Sequence, residues 1–276
     1  MLVLIGTVIG LVLGLTGAGG SVFAVPLLVL VAGLPVSSAI GISLGAVATS
    51  ALYGSLGIAL SKKSASKVLW LPGAILAGTG AATAPIGKWL GLQMPDTWLL
   101  FGFCTLASVI AVRMWLSATR HPDTAAVVRA GNYANTPAPE LLCKLSTSGQ
   151  FELRPRCLKG LVTGGALVGL LSGLFGVGGG FLIVPLMLIL SPISMAQAVS
   201  TSLLIIAAIS SSGFISHLAM SPHNDWPLLG QVAVGGILGM MIGQAISHRI
   251  ANARLQKVFA GSLLLVSTLT LLRHFL

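Results

Sequence analysis

Long apolar runs set the first limit on what this chain can fold into. Stretches near residues 2–32, 39–60, 68–87, 97–116, 160–190, 196–217, 227–247 and 257–274 are nearly free of charge. One membrane crossing takes about 20 apolar residues. In lipid every backbone polar group needs a partner within the protein, which leaves helices or a closed barrel. None of these runs alternates with a two-residue period, so helices are expected. Only 7% of the 276 residues are charged and 55% are hydrophobic, whereas a soluble domain carries roughly 25% charged residues. The fold class expected is an all-α, multi-pass integral membrane protein of the cell (cytoplasmic) membrane. Met1 to Gly20 lacks the basic leading region of a signal peptide, and it has an internal counterpart at 160–180, so it reads as mature structure.

The fifteen basic residues give a formal charge of +10, but they cluster between apolar runs. Such clustering reports topology through the positive-inside rule and argues against a nucleic-acid partner. Cys104 lies in an apolar run, and Cys143 and Cys157 lie between the halves described next. No pair has metal-ligand spacing. If the region between the halves is cytosolic, its thiols should stay reduced.

An internal repeat organises the chain. Gly14-Leu15-Thr16-Gly17-Ala18-Gly19-Gly20 is echoed by Gly173-Leu174-Phe175-Gly176-Val177-Gly178-Gly179, and both lead to Val-Pro-Leu at 25–27 and 184–186. The register continues unbroken, matching Ser43 to Ser202 and Gly54 to Gly213. This gives a first transmembrane repeat (1–116), a polar, cytoplasmic linker (117–159) and a second repeat (160–276). The first run of each repeat is too long for one crossing and is interrupted by glycines. Each is either one broken helix or two short helices forming a re-entrant hairpin, followed by three transmembrane helices. With hairpins the halves are inverted, and Lys62, Lys63, Lys67, the linker, Arg249, Arg254 and Lys257 share one side, as the positive-inside rule favours.

A helix broken inside a membrane leaves amide donors at its restart, where the helix dipole also favours an anion. Two such breaks related by a repeat can face one midplane site. The candidate substrate-binding residues are therefore Gly17, Gly19, Gly20 and Ser21 with Gly176, Gly178, Gly179 and Gly180. The competing reading of the glycines is close helix packing. Ser43, Ser202, Ser210 and Ser211 are candidate hydroxyl donors, although membrane serines usually bond backbone or a neighbouring helix. His217 ends the serine-rich run and is a candidate because histidine ordinarily titrates near neutral pH, against the plainer reading of a capping or surface histidine. Lys88 and Arg113 lie near run ends, where long side chains snorkel to the interface. No Asp or Glu falls within a run, so a carboxylate-coupled mechanism has no candidate residue. Gly41-Ile42-Ser43-Leu44-Gly45 matches the nucleophile pattern of hydrolases. It lacks the strand before and helix after, and Ser202 in the second half has lost both glycines, so an intramembrane protease is the weaker reading. A channel or scaffold is the other alternative.

The motifs at 14–21 and 173–180, each followed by Val-Pro-Leu, resemble the TauE/SafE family of sulfite and organosulfonate permeases. The resemblance covers nearly the whole chain apart from the linker; the first motif departs from the second, with Ala18 and Ser21 against Val177 and Gly180. It implies a non-enzymatic secondary transporter that moves a small sulfur-containing anion by alternating access, without cofactor or metal. The partners it implies are that anion and the lipid bilayer, with a homodimer admissible.

Overall fold

The computed structural model describes residues 1–17, 20–60, 68–120, 143–145, 151–152, 155–191, 193, 195–220, 225–250 and 253–275. The first half comprises α1 (Leu2–Thr16), α2 (Gly20–Ala32), α3 (Val36–Leu60), α4 (Trp70–Gln93) and α5 (Asp96–Arg120). The second comprises α6 (Pro155–Phe175), α7 (Gly180–Leu190), α8 (Met195–Met220), α9 (Trp226–Ile250) and α10 (Ala253–Phe275). Helix thus extends into both ends of the polar stretch between the halves. Within that stretch, Lys144–Leu145 (β1) pairs antiparallel with Phe151–Glu152 (β2). Among the described residues four helices are long and apolar enough to cross a membrane: Val36–Leu60, Pro155–Phe175, Gln197–Met220 and Trp226–Ile246. Their outward faces carry large apolar side chains such as Leu52, Leu56, Leu167, Ile215, Val234 and Leu238. That surface suits lipid and would be costly in water. The protein is an all-α, multi-pass membrane protein.

The first run of each half folds back on itself. α1 ends at Gly17, whose φ of 70° is left-handed and whose N–H donates to Leu13 O at 2.7 Å. α6 ends identically at Gly176, with φ 71° and an N–H bond to Ser172 O at 2.8 Å. A left-handed residue closing onto the preceding turn is a common helix stop, and glycine takes it without Cβ strain. The chain then reverses. A Cβ placed on Gly20 would collide with Ile9 O and Leu13 N, so α2 starts against the middle of α1. Had the helix run straight on, Gly20 would lie about 10 Å beyond Leu13 at 1.5 Å per residue. Gly179 sits in the same way against Val168 and Ser172 of α6. Both first runs are helical hairpins, and the single broken helix is excluded.

Packing between the halves is reciprocal. α1 lies along α9, and α6 along α4. A Cβ on Gly10 would strike Gly236, and one on Gly14 would strike Met240 O. In the other half Gly169 meets Gly80, and Gly173 meets Ala84 O. These glycines answer to the packing reading: without side chains the helix backbones touch. Thr83 uses that proximity, donating its hydroxyl across to Ala166 O at 2.9 Å. α3 and α8 pack against each other with Gly41 beside His217 and Gly45 beside Phe214, so the two helices run antiparallel. α5 and α10 are antiparallel too, with Cys104 near Ser267 and Gly261 near Trp115.

One sequence expectation is overturned here. Cys143 and Cys157 form a disulfide, with Cα atoms 4.9 Å apart, and both are fully buried. That separation lies within the usual range for the bond. The Cys143 N–H also donates to Leu190 O at 2.9 Å, fixing this segment to the end of α7. The reduced state was expected from a compartment assigned by charge, and the folded geometry brings the two sulfurs together regardless.

Candidate site between the two hairpin tips

Each hairpin tip is held by a serine from the opposite half. Ser43 of α3 donates its hydroxyl to Gly176 O at 2.7 Å, and Ser202 of α8 shares its proton between Gly17 O at 3.0 Å and Val199 O of its own helix at 2.8 Å. Both serines are fully buried. The left-handed stop exposes each glycine carbonyl at the end of a helix, where it needs a donor. The central helix of the other half supplies one. The tips also press on these helices directly: Gly176 lies on Ile40 and Gly17 on Val199, residues in repeat register. Exchange of the halves therefore maps one tip with its serine onto the other.

The second tip, described throughout, shows its donor arrangement in full. Gly176, Gly178 and Gly179 all have positive φ, and the first amide of α7 that closes onto backbone is that of Leu182, to Gly179 O at 3.0 Å. Earlier amides at a helix start have no partner within the helix, and the helix dipole adds positive potential there. Two buried hydroxyls lie beside this tip without a hydrogen-bond partner among the described residues, those of Ser172 and Ser210. Gly178 abuts the Ser210 hydroxyl, and a Cβ there would come within 2.7 Å of it; it would also lie 3.5 Å from Ser21 Cβ, on the first hairpin. An unpartnered buried hydroxyl costs roughly 1–3 kcal/mol, and two of them lie at this one helix start.

The residues singled out by sequence distribute as follows. Gly17, Gly20, Ser21, Ser43, Gly176, Gly178, Gly179, Gly180, Ser202 and Ser210 lie at or against the two tips. Gly19 lies outside the described residues. Ser211 is half-buried on the next position of α8 and forms no part of the serine–carbonyl pairs. Ser212 donates to Ala81 O at 2.6 Å, joining α8 to α4. Thr49 and Ser50 return their hydroxyls to their own helix, as the packing reading expects. His217 is seven residues beyond Ser210, about 10 Å along the helix. It is largely buried rather than a surface cap, and it lines a small cavity with Ser38, Gly41, Asp225 and Trp226.

Two residues at the site escape a linear reading. Ser172 has Leu13 as its repeat counterpart and looks like helix packing until its orphaned hydroxyl is seen beside Gly179. Lys88 was expected to snorkel, yet it is only 3% exposed. The helices around it, not its position in α4, remove it from lipid and water. Ser43 does not fit a nucleophile: it sits within continuous helix, and its proton is directed at a backbone carbonyl rather than a base. No group of three potential metal-ligating side chains occurs among the described residues.

The sequence matches the family described as sulfite exporter TauE/SafE over residues 2–270. The chain belongs to the TauE/SafE family. Probable membrane transporter proteins from two strains of Xylella fastidiosa, 9a5c and Temecula1 / ATCC 700964, are 31% and 32% identical to it over 259 residues. In both cases the match covers 92% of this chain and 87% of the relative. The probable membrane transporter protein YdhB of Bacillus subtilis is 26% identical over 276 residues, covering 96% of this chain and 99% of the relative. No solved structure matches. The family is one of membrane transporters, not of enzymes, and this chain is accordingly a membrane transporter. A transporter requires a small substrate and a lipid bilayer as its partners.

Proposed function

We propose that this protein is a secondary transporter that carries a small sulfur-containing anion, such as sulfite or an organosulfonate, across the cytoplasmic membrane by alternating access. The observation that carries this reading is the reciprocal pair of bonds, Ser43 to Gly176 O and Ser202 to Gly17 O. Each makes the shape of one hairpin tip depend on the position of the other half. Rocking one half against the other would loosen one tip and hold its counterpart, as repeat-built carriers require. Antiparallel pairing of the equivalent helices α3 with α8, and α5 with α10, supports inverted repeats, because parallel repeats would leave equivalent helices parallel. In this arrangement the hairpins enter from opposite faces and their tips meet near the midplane. A sulfonate or sulfite presents three acceptor oxygens, matched by the α7 amides and the Ser172 and Ser210 hydroxyls. Gly17, Gly20, Ser21, Gly178, Gly179 and Gly180 shape the site, with Gly19 assigned by repeat register alone.

The test is flux in liposomes containing the purified protein, with sulfite, thiosulfate, sulfoacetate and taurine as substrates and chloride and acetate as controls. Saturable movement of a sulfur anion, lost when Gly178 is replaced by a bulky residue, is the expected result. Absence of flux in either direction, with and without a proton gradient, would reject the carrier reading.

A further inference from the structure

Lys88 stands at the second hairpin in a setting that the repeat does not reproduce at the first. A methyl group built on Gly173 would come within 2.9 Å of the Lys88 amide nitrogen, and one on Gly14 would come within 2.9 Å of the Gln244 amide nitrogen. Lys88 and Gln244 are therefore equivalent positions, each level with the last turn before a tip. Their local sequences agree, Ile86-Gly87-Lys88 against Ile242-Gly243-Gln244. One half has a cation where the other has a neutral amide.

The two side chains are used differently. Gln244 approaches Gly54 O at 3.5 Å, bridging α9 to α3. Lys88 is almost fully buried, and it forms no hydrogen bond or salt bridge within 4 Å among the described residues. It lines a cavity of about 70 Å³ together with Ser37, Ile40, Asp96 and Leu174. Ile40 is the residue on which Gly176 rests, so the cavity lies directly beside the second tip. A buried cation without a contact ion pair is expensive, and inside a membrane protein such a residue marks a ligand path. Asp96 lies at the exposed rim of the same cavity, where it acts on the ammonium electrostatically without forming a salt bridge within 4 Å among the described residues. Ser37, in the first turn of α3, contributes a hydroxyl to the lining. A cavity of this size has room for a small oxyanion.

We propose that Lys88 is the charge-selecting residue of the transport path: it receives an inorganic or organic oxyanion in the cavity beside Gly176, whereas the matching position in the other half, Gln244, carries no charge. This rests on the transporter reading but is separable from it, because binding can be measured without flux. An anion arriving from the Lys88 side meets a fixed positive charge before it reaches the tip. At the matching position of the other half, Gln244 offers a neutral amide in place of the ammonium. The two matched positions therefore differ in charge although the halves share one architecture.

The experiment uses the full-length protein in detergent and in liposomes, with sulfite and sulfate as probes and with Lys88→Gln, Lys88→Met and Lys88→Arg variants. Binding is read as protection from thermal unfolding at increasing anion concentration, with chloride at matched ionic strength as the control. Removing the charge should weaken half-maximal protection by about ten- to a hundredfold, the usual worth of a bond to a charged group. Lys88→Arg should keep most of it. If the neutral variants are monodisperse and protected at the same concentrations as the wild type, the proposal is wrong. Protection of the wild type by neither anion would overturn it as well. Undiminished sulfite flux in Lys88→Gln would remove Lys88 and leave the carrier reading standing. Charge-dependent binding without flux would do the reverse.

Discussion

Gly176 and Gly33 offer a paired measurement of what the second tip contributes to stability. Both have left-handed backbone, with φ of 71° and 66°. A Cβ on Gly33 would meet nothing within 4 Å, whereas one on Gly176 would come within 2.8 Å of both Cα and Cγ2 of Ile40. Alanine in left-handed geometry costs about 1–2 kcal/mol. Against this, replacing glycine restricts the unfolded chain and returns about 0.4–1 kcal/mol. These two terms apply equally to Gly33→Ala and Gly176→Ala, so they cancel in the comparison. The remainder is the displacement of Ile40 and its backbone, an overpacking of about 1–3 kcal/mol. Gly33→Ala should therefore lose at most about 1.5 kcal/mol, and Gly176→Ala about 1–3 kcal/mol more. Equilibrium unfolding in mixed micelles, followed by circular dichroism against denaturing detergent fraction, reads both values. Transport by Gly33→Ala should be unchanged and that by Gly176→Ala lost. Equal destabilisation of the two variants would refute close packing of the second tip on α3.

Three further outcomes follow from named contacts. Ser43→Ala and Ser202→Ala each leave a glycine carbonyl without its cross-half donor, and each should lose about 0.6–1.7 kcal/mol, the range found for hydrogen bonds between membrane helices. Ser43→Thr, which keeps the hydroxyl, should recover part of that loss, and identical unfolding curves for alanine and wild type would count against the crossed bonds. Gly10→Val and Gly169→Val push α1 from α9 and α6 from α4, so both should fail to yield monodisperse protein on gel filtration, while Gly230→Ala, with open space around it, should behave as wild type. Alkylation of denatured, unreduced protein should modify Cys104 alone, and prior reduction should add Cys143 and Cys157. Breaking that link, which spans 14 residues, should cost about 3 kcal/mol on the loop-entropy scale.

The architecture was largely legible in the residues because duplication exposes itself. Glycines at constant offset located both tips, and register alone paired Ser43 with Ser202 before any contact was known. Sequence left two conformations for 2–32 and 160–190, since a glycine stop is common to a kinked helix and a hairpin. Only the position of Gly20 against Leu13, and of Gly179 against Ser172, separates them. The glycines also proved to be of two kinds that look alike in a string. Gly10, Gly14, Gly169 and Gly173 let backbones touch, whereas Gly17 and Gly176 turn the chain. Lys88 reads as interfacial from the string because it directly follows the 68–87 run, and nearness to a run end says nothing of which helices surround a position. The disulfide was missed for a similar reason: basic clusters assign a side of the membrane, and they carry no information on the distance between two sulfurs.

The most direct test of alternating access at the two tips is counterflow. Liposomes loaded with unlabelled sulfite are diluted into a trace of radiolabelled sulfite, and its entry is followed with time. A carrier whose site opens to one side at a time should show label accumulating transiently above equilibrium, and the Ser43→Ala, Ser202→Ala double variant should flatten that overshoot. Entry that never exceeds equilibrium, at a rate proportional to concentration, would contradict the account and point to a channel.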